Sequence, residues 1–203
     1  MREIPDGFIL PDFGDRRRST TNDVDQRAGS ASGGHAGPRK LAIICSKGNL
    51  DMAYPGLIMG NAAAGEGVEV HIFFTFWGLD IINKKTNHNL KFTMLGNTAM
   101  HMPDLGHFRP GLEHKSMPQF MGQLPGMTGM ATRMMKKQMA DLEVPDVPEF
   151  LDIMQAAGTH MYACRLSFDM MKMIEADLHP GVEGVISAAD FIELSDGAQT
   201  IFV

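Results

Sequence analysis

The residues with the most chemistry to offer in this 203-residue chain are its two cysteines, Cys45 and Cys164. Each closes an apolar run: Leu41-Ala42-Ile43-Ile44 leads into Cys45, and Thr159-His160-Met161-Tyr162-Ala163 leads into Cys164. Both runs read as strands, and in an open α/β sheet ligands gather outside the carboxyl ends of the strands. A thiol at that edge can ionise, attack a sulfur atom and carry it, whereas a thiol inside a core is a small inert hydrophobe. Cys164 is followed by Arg165 and by a helix start expected at Ser167. A guanidinium and helix amides both favour thiolate over thiol. Cys45 is followed by Ser46-Lys47-Gly48-Asn49, a turn able to present backbone amides to an anion, with Lys47 adding charge. Taken alone, Cys45 reads as structural. For Cys164 the buried and the reactive readings both stand open.

The elements that must position these thiols follow from periodicity. Leu41 to Cys45 is continuously apolar, as in a strand buried on both faces. Asp51 is expected to start a helix with Pro55 in its first turn and with Tyr54, Leu57, Ile58 and Ala62 on its apolar face. Gly65 and Gly67 should stop it. Val68 to Phe76 reads as the next strand, and the order strand, helix, strand implies a parallel sheet. Leu79 to Ile82 suggests a short helix. Thr128 to Leu142 predicts an amphipathic helix with Met130, Ala131, Met134, Met135, Met139 and Leu142 inward. Asp146 should cap a helix that has Pro148 in its first turn and Gly158 beyond its end. Ser187 with Asp190 matches a capping box for Ala188 to Leu194, and Gln199 to Val203 reads as a last strand. The implied fold class is α/β with a mostly parallel sheet of about five strands.

Composition limits the function. The net charge of −6 argues against binding nucleic acid through a basic face. No apolar stretch reaches the length of a membrane span, and no C-x-x-C or zinc-type spacing exists. Reduced thiols in a cytoplasm are expected. Residues 1–38, polar and glycine-rich, read as a flexible tail, and 39–203 as the domain, with a Met/His-rich insertion near 94–127. Ten of the 18 methionines lie between Met94 and Met139, so this region calls for an explanation of its own. His101, Met102, His107, His114, Met117 and Met121 could hold Cu(I), although thioether-rich segments more often fill adaptable interfaces.

Several motifs together resemble a known family. Ile44-Cys45-Ser46-Lys47-Gly48-Asn49-Leu50-Asp51-Met52-Ala53-Tyr54-Pro55, Phe73 to Leu79, Leu124 to Lys137 and Ala163-Cys164-Arg165-Leu166-Ser167-Phe168-Asp169-Met170-Met171 are similar to motifs of the DsrE/DsrF-like sulfurtransferase family, in the family's order. The resemblance runs from about Lys40 to the end of the chain. It implies a flavodoxin-like three-layer sandwich, a homo-oligomer, and a sulfur carrier or sulfurtransferase that relays sulfane sulfur as a persulfide or thiosulfonate. It implies Cys164 as the sulfur-bearing residue and Cys45 as a second candidate. Arg165, Lys47, Gly48, Asn49 and Ser167 would bind the anion. TusA-like or rhodanese-like carriers would be partners, and no metal or organic cofactor is needed. The alternatives are a non-catalytic oligomeric interaction module and a copper- or redox-responsive binder built on the Met/His loop.

Overall fold

The apolar run after Arg39 forms an interior strand of a five-stranded, all-parallel sheet. The strands are β1 (Lys40–Cys45), β2 (Glu69–Phe74), β3 (His160–Cys164), β4 (Val182–Ile186) and β5 (Gln199–Phe202). They lie in the order β4-β3-β2-β1-β5. The computed structural model describes residues 39–97 and 118–203, together with Pro110 and Ser116. The expected tail and most of the Met/His-rich insertion, including His101, His107 and His114, lie outside the described residues.

Successive side chains of a strand point to opposite faces, so each strand feeds two cores. Leu41, Ile43 and Cys45 of β1 join Val70, Ile72 and Phe74 of β2 and Met161 and Ala163 of β3 in the larger core. Ala42, Phe73, Tyr162 and Cys164 belong to the smaller core on the second face. Helix α1 (Leu50–Gly65), the short α2 (Leu79–Ile82) and α4 (Val147–Ala156) cover the first face. Fully burying one side chain such as Leu57 is worth about 1.5–3 kcal/mol. Helix α6 (Ala188–Leu194) covers the second face, with the Phe191 ring stacked on Phe73 at 4.6 Å. The strands from β1 to β4 step across the sheet in one direction, and the last connection runs back to β5. Right-handed crossovers put those opposite directions on opposite faces. The result is an α/β fold with helices on both faces of a parallel sheet, the three layers that the family resemblance implies.

Two local expectations need correction. Helix α1 begins at Leu50 behind Asn49, which leaves Pro55 in the second turn rather than the first, and Ala62 is exposed. Helix α3 (Met127–Asp141) forms where the stripe predicted it, but Thr132 is its buried residue. Met135 and Met139 pack partly on the larger core, while Met130 and Leu142 face solvent. The caps behave as expected: Asp146 accepts from the Glu149 amide at 3.0 Å, and Ser187 and Asp190 close a reciprocal box. Strand β4 was not placed from sequence. The signal that could have found it is the turn at Pro180-Gly181 followed by Val182, Val185 and Ile186.

Candidate functional site

Cys164 ends β3 on the second face of the sheet and is itself the N-cap of α5 (Arg165–Met170). The helix therefore starts two residues earlier than Ser167, and Ser167 becomes its third residue. This shift puts the first-turn amides directly against the sulfur. The thiol is 6% exposed but only thinly covered. Burial pushes its pKa up. The hydroxyl of Thr75, the amide and hydroxyl of Ser167 and the amide of Leu166 outweigh burial and bring the pKa below its ordinary value. No amide closes a complete cap bond on the sulfur. Their field still favours the anion, as expected beside free N–H groups.

The neighbouring strand supplies the rest of the site. The β2–β3 register pairs Phe74 with Ala163, so the next residue along, Thr75, comes beside Cys164. The Thr75 hydroxyl lies 3.1 Å from the Ser167 hydroxyl, which also accepts the Phe76 amide at 2.8 Å. Thr75 was missed in the sequence, because only the strand register brings it here. Phe76 holds φ +46, an uncommon conformation for a bulky residue, costing about 1–3 kcal/mol. The turn then closes through Gly78, whose amide donates to the Thr75 carbonyl at 2.9 Å. A Cβ on Gly78 would run into the Cys45 carbonyl, so this close crossing needs glycine. Phe76, Trp77, Leu166 and Met170 stay exposed along this edge, and Leu166 reaches 72%.

The other expected site residues separate from Cys164. Arg165 is exposed and donates to the Val185 carbonyl of β4 at 2.8 Å, so it braces the edge strand. The groups that lower the Cys164 pKa are hydroxyls and amides, not this guanidinium. Lys47 is exposed. Gly48 is pressed against the Trp77 carbonyl and Asp80. Gly48 and Asn49 line a separate cavity of about 300 Å³ with Trp77, Asp80, Lys85 and Lys91, which Cys164 does not reach.

Cys45 shares with Cys164 a place at a strand end, but its surroundings are different. It is 1% exposed, lies in the larger core, and burial pushes its thiol up to about 12. A Cβ on Gly56 of α1 would come within 2.7 Å of the Cys45 sulfur, so the helix rides directly on it. The two cysteines stand on β1 and β3 with β2 between them. At roughly 4.8 Å per strand their backbones are about 10 Å apart, beyond the roughly 7 Å that a disulfide spans. Their side chains also point to opposite faces. Both are free thiols. Among the described residues, no group of three or more His, Cys, Asp and Glu side chains is arranged to hold a metal ion.

A family model described as DsrE/DsrF/DrsH-like matches residues 38–202. The chain belongs to that family. The resemblance carried by the motifs around Cys45 and Cys164 is thereby met. Within the family's reach, the chain is 42% identical over 153 residues to the sulfur carrier protein DsrE2 of Allochromatium vinosum, covering 75% of this chain and 91% of that protein. It is 25% identical over 165 residues to the uncharacterized protein YrkE of Bacillus subtilis, covering 81% of this chain and 97% of that one. The crystal structure of the ychN protein from E. coli superposes with a TM-score of 0.47 and 11% identity, over 81% of this chain and 99% of that one.

Proposed function

We propose that this family member is a sulfur carrier that bears sulfane sulfur on Cys164. The observation that carries the reading is the contrast between the two thiols. Cys164 has its pKa lowered by donors at a strand end, and Cys45 has its pKa raised by burial in the core. The relative named a sulfur carrier protein supports the same role. In the transfer step the Cys164 thiolate attacks the outer sulfur of a donor persulfide, R–S–SH. A sulfur–sulfur bond forms at Cys164, the donor's sulfur–sulfur bond breaks, and the donor leaves as RS⁻. The terminal sulfur keeps its proton and loses it afterwards to solvent, so sulfane sulfur moves with no net oxidation. Delivery to an acceptor thiolate is the same step reversed. The Leu166 and Ser167 amides and the two hydroxyls favour the anionic state of the site at each stage. No cofactor enters this step.

Cys45 is the packing residue beneath α1 in this account. The expected contributions of Gly48 and Asn49 to anion binding would fall in the neighbouring cavity, Lys47 would add charge from the exposed turn before them, and Arg165 would serve by bracing β4. A free working thiol fits a reducing compartment such as the cytoplasm. No described helix is long and apolar enough to cross a membrane. TusA-like or rhodanese-like proteins fit as donors or acceptors. Homo-oligomer formation fits the exposed Ile192 of α6 and Phe202 of β5.

The test is intact mass after exposure to hydrogen polysulfide or tetrathionate. The wild-type chain and Cys45→Ser should gain sulfur adducts that a reductant removes, and Cys164→Ser should gain none. An adduct that survives in Cys164→Ser would overturn the assignment.

A further inference from the structure

We propose that His179 is a proton-sensitive latch on the edge strand β4: its neutral ring holds the turn that launches the strand, and a protonated ring lets that turn go. The latch is independent of any sulfur chemistry at Cys164.

His179 opens the turn His179-Pro180-Gly181-Val182, in which the Val182 amide donates to the His179 carbonyl at 3.0 Å. Inside this turn the Gly181 amide donates to Nδ1 of the His179 ring at 3.1 Å. Nδ1 is therefore an acceptor without a proton, and the one proton of the neutral ring sits on Nε2. Nε2 donates to Oδ1 of Asp152 on α4 at 3.1 Å. Two partners thus select a single tautomer. A second proton would have to sit on Nδ1, where it would point at the Gly181 N–H. The His179 side chain is only 6% exposed, so water cannot stand in for the lost acceptor. Gly181 has little space to turn away, because a Cβ there would come within 2.7 Å of the Met161 side chain and 3.0 Å of Gln155.

The surrounding charges decide the sign. Asp152 favours a charged ring, but its side chain is 72% exposed and its pull is screened by solvent. Asp177, in the same loop, is paired with Lys85 at 2.6 Å; Glu175 there is exposed, as is Lys84 after α2. On β3 and β4, His160 and Glu183 bind each other at 2.7 Å on the second face of the sheet, away from His179. The buried clash of two N–H groups outweighs the exposed carboxylate. The hold on β4 is complete where histidine is neutral and is lost as pH falls. Its loss would reach the site edge, since Ile186 of β4 lies opposite Cys164 and the Val185 carbonyl holds Arg165 at 2.8 Å.

The measurement is hydrogen exchange of the full chain, read as protection factors of the Val182 to Ile186 amides so that the intrinsic pH dependence of exchange drops out. His179→Asn places an oxygen near the position of Nδ1 and cannot take a proton. Between about pH 7.5 and about pH 5.5, protection in the wild-type chain should fall about tenfold more than in the variant. His160 and Glu183 are present in both proteins, so their effect on β4 cancels in the difference. An equal fall in the two proteins, or a larger one in His179→Asn, overturns the proposal. Should the variant fail to fold, nitrogen-15 NMR of the wild-type imidazole supplies the test. At about pH 7.5 the proton should be on Nε2 alone, and its arrival on Nδ1 at lower pH should coincide with the loss of protection in β4. A proton on Nδ1 at the higher pH, or protonation that leaves β4 protected, overturns it equally.

Discussion

At the scale of the residue, burial and hydrogen-bond donors pull two identical side chains apart. Cys164 and Cys45 both end strands, yet one meets two hydroxyls and two amides and the other meets a helix backbone and apolar carbons. The consequence for stability has a definite sign. The folded Cys45 thiol titrates at about 12 against an ordinary 9.0, so the unfolded chain gives up that proton first. Its contribution is complete below pH 9 and is lost as pH rises toward 12, amounting to about 4 kcal/mol in all. Denaturant midpoints of the wild-type chain and Cys45→Ala should therefore converge as pH rises from about 7 to about 10.5, with about 2 kcal/mol of the difference removed. Parallel pH curves for the two proteins would show that Cys45 does not titrate differently on folding. The depressed Cys164 pKa acts in the opposite direction. Its stabilisation is present at pH above the unfolded value and is lost as pH falls through the folded one.

At the scale of the element, α1 and β1 touch through a glycine and a cysteine. Gly56→Ala puts a methyl group 2.7 Å from the Cys45 sulfur and should cost about 1–3 kcal/mol. Cys45→Ala removes the atom it strikes, so the double variant should be more stable than the sum of the single losses by at least about 1 kcal/mol. Chemical denaturation of the four proteins measures that coupling, and strict additivity would show that the helix does not bear on the sulfur. The same elements show what the sequence made legible. Four strands were readable, because continuous apolar runs such as Leu41 to Cys45 mark parallel strands, and the caps at Asp146 and Ser187 act locally. Strand β4 is an edge strand, half-buried and interrupted by Gly184, so its pattern is weak. The start of α5 was misplaced because cysteine is not a usual N-cap, and Ser167 drew the boundary to itself. Thr75 could not be found at all, because its partner is set by register across two strands 89 positions apart, counting from Thr75 to Cys164.

At the scale of the whole molecule, the sheet separates two tasks. The first face, under α1 and α4, holds the larger core and Cys45. The second face carries Cys164 beneath one seven-residue helix, with Ile192 and Phe202 about 70% and 69% exposed. If copies of the chain associate through this side, Ile192→Glu with Phe202→Glu should lower the mass seen by sedimentation equilibrium while leaving alkylation of Cys164 intact. An unchanged mass, or a monomeric wild-type chain, would remove that interface. The central claim, however, is that only one face carries sulfur. The most direct measurement loads the folded wild-type chain with hydrogen polysulfide, digests it and locates the added sulfur by mass spectrometry of the two cysteine peptides. The account predicts the sulfur on the Cys164 peptide and its loss when a small thiol is added before digestion. Sulfur on the Cys45 peptide, or on neither, would contradict it.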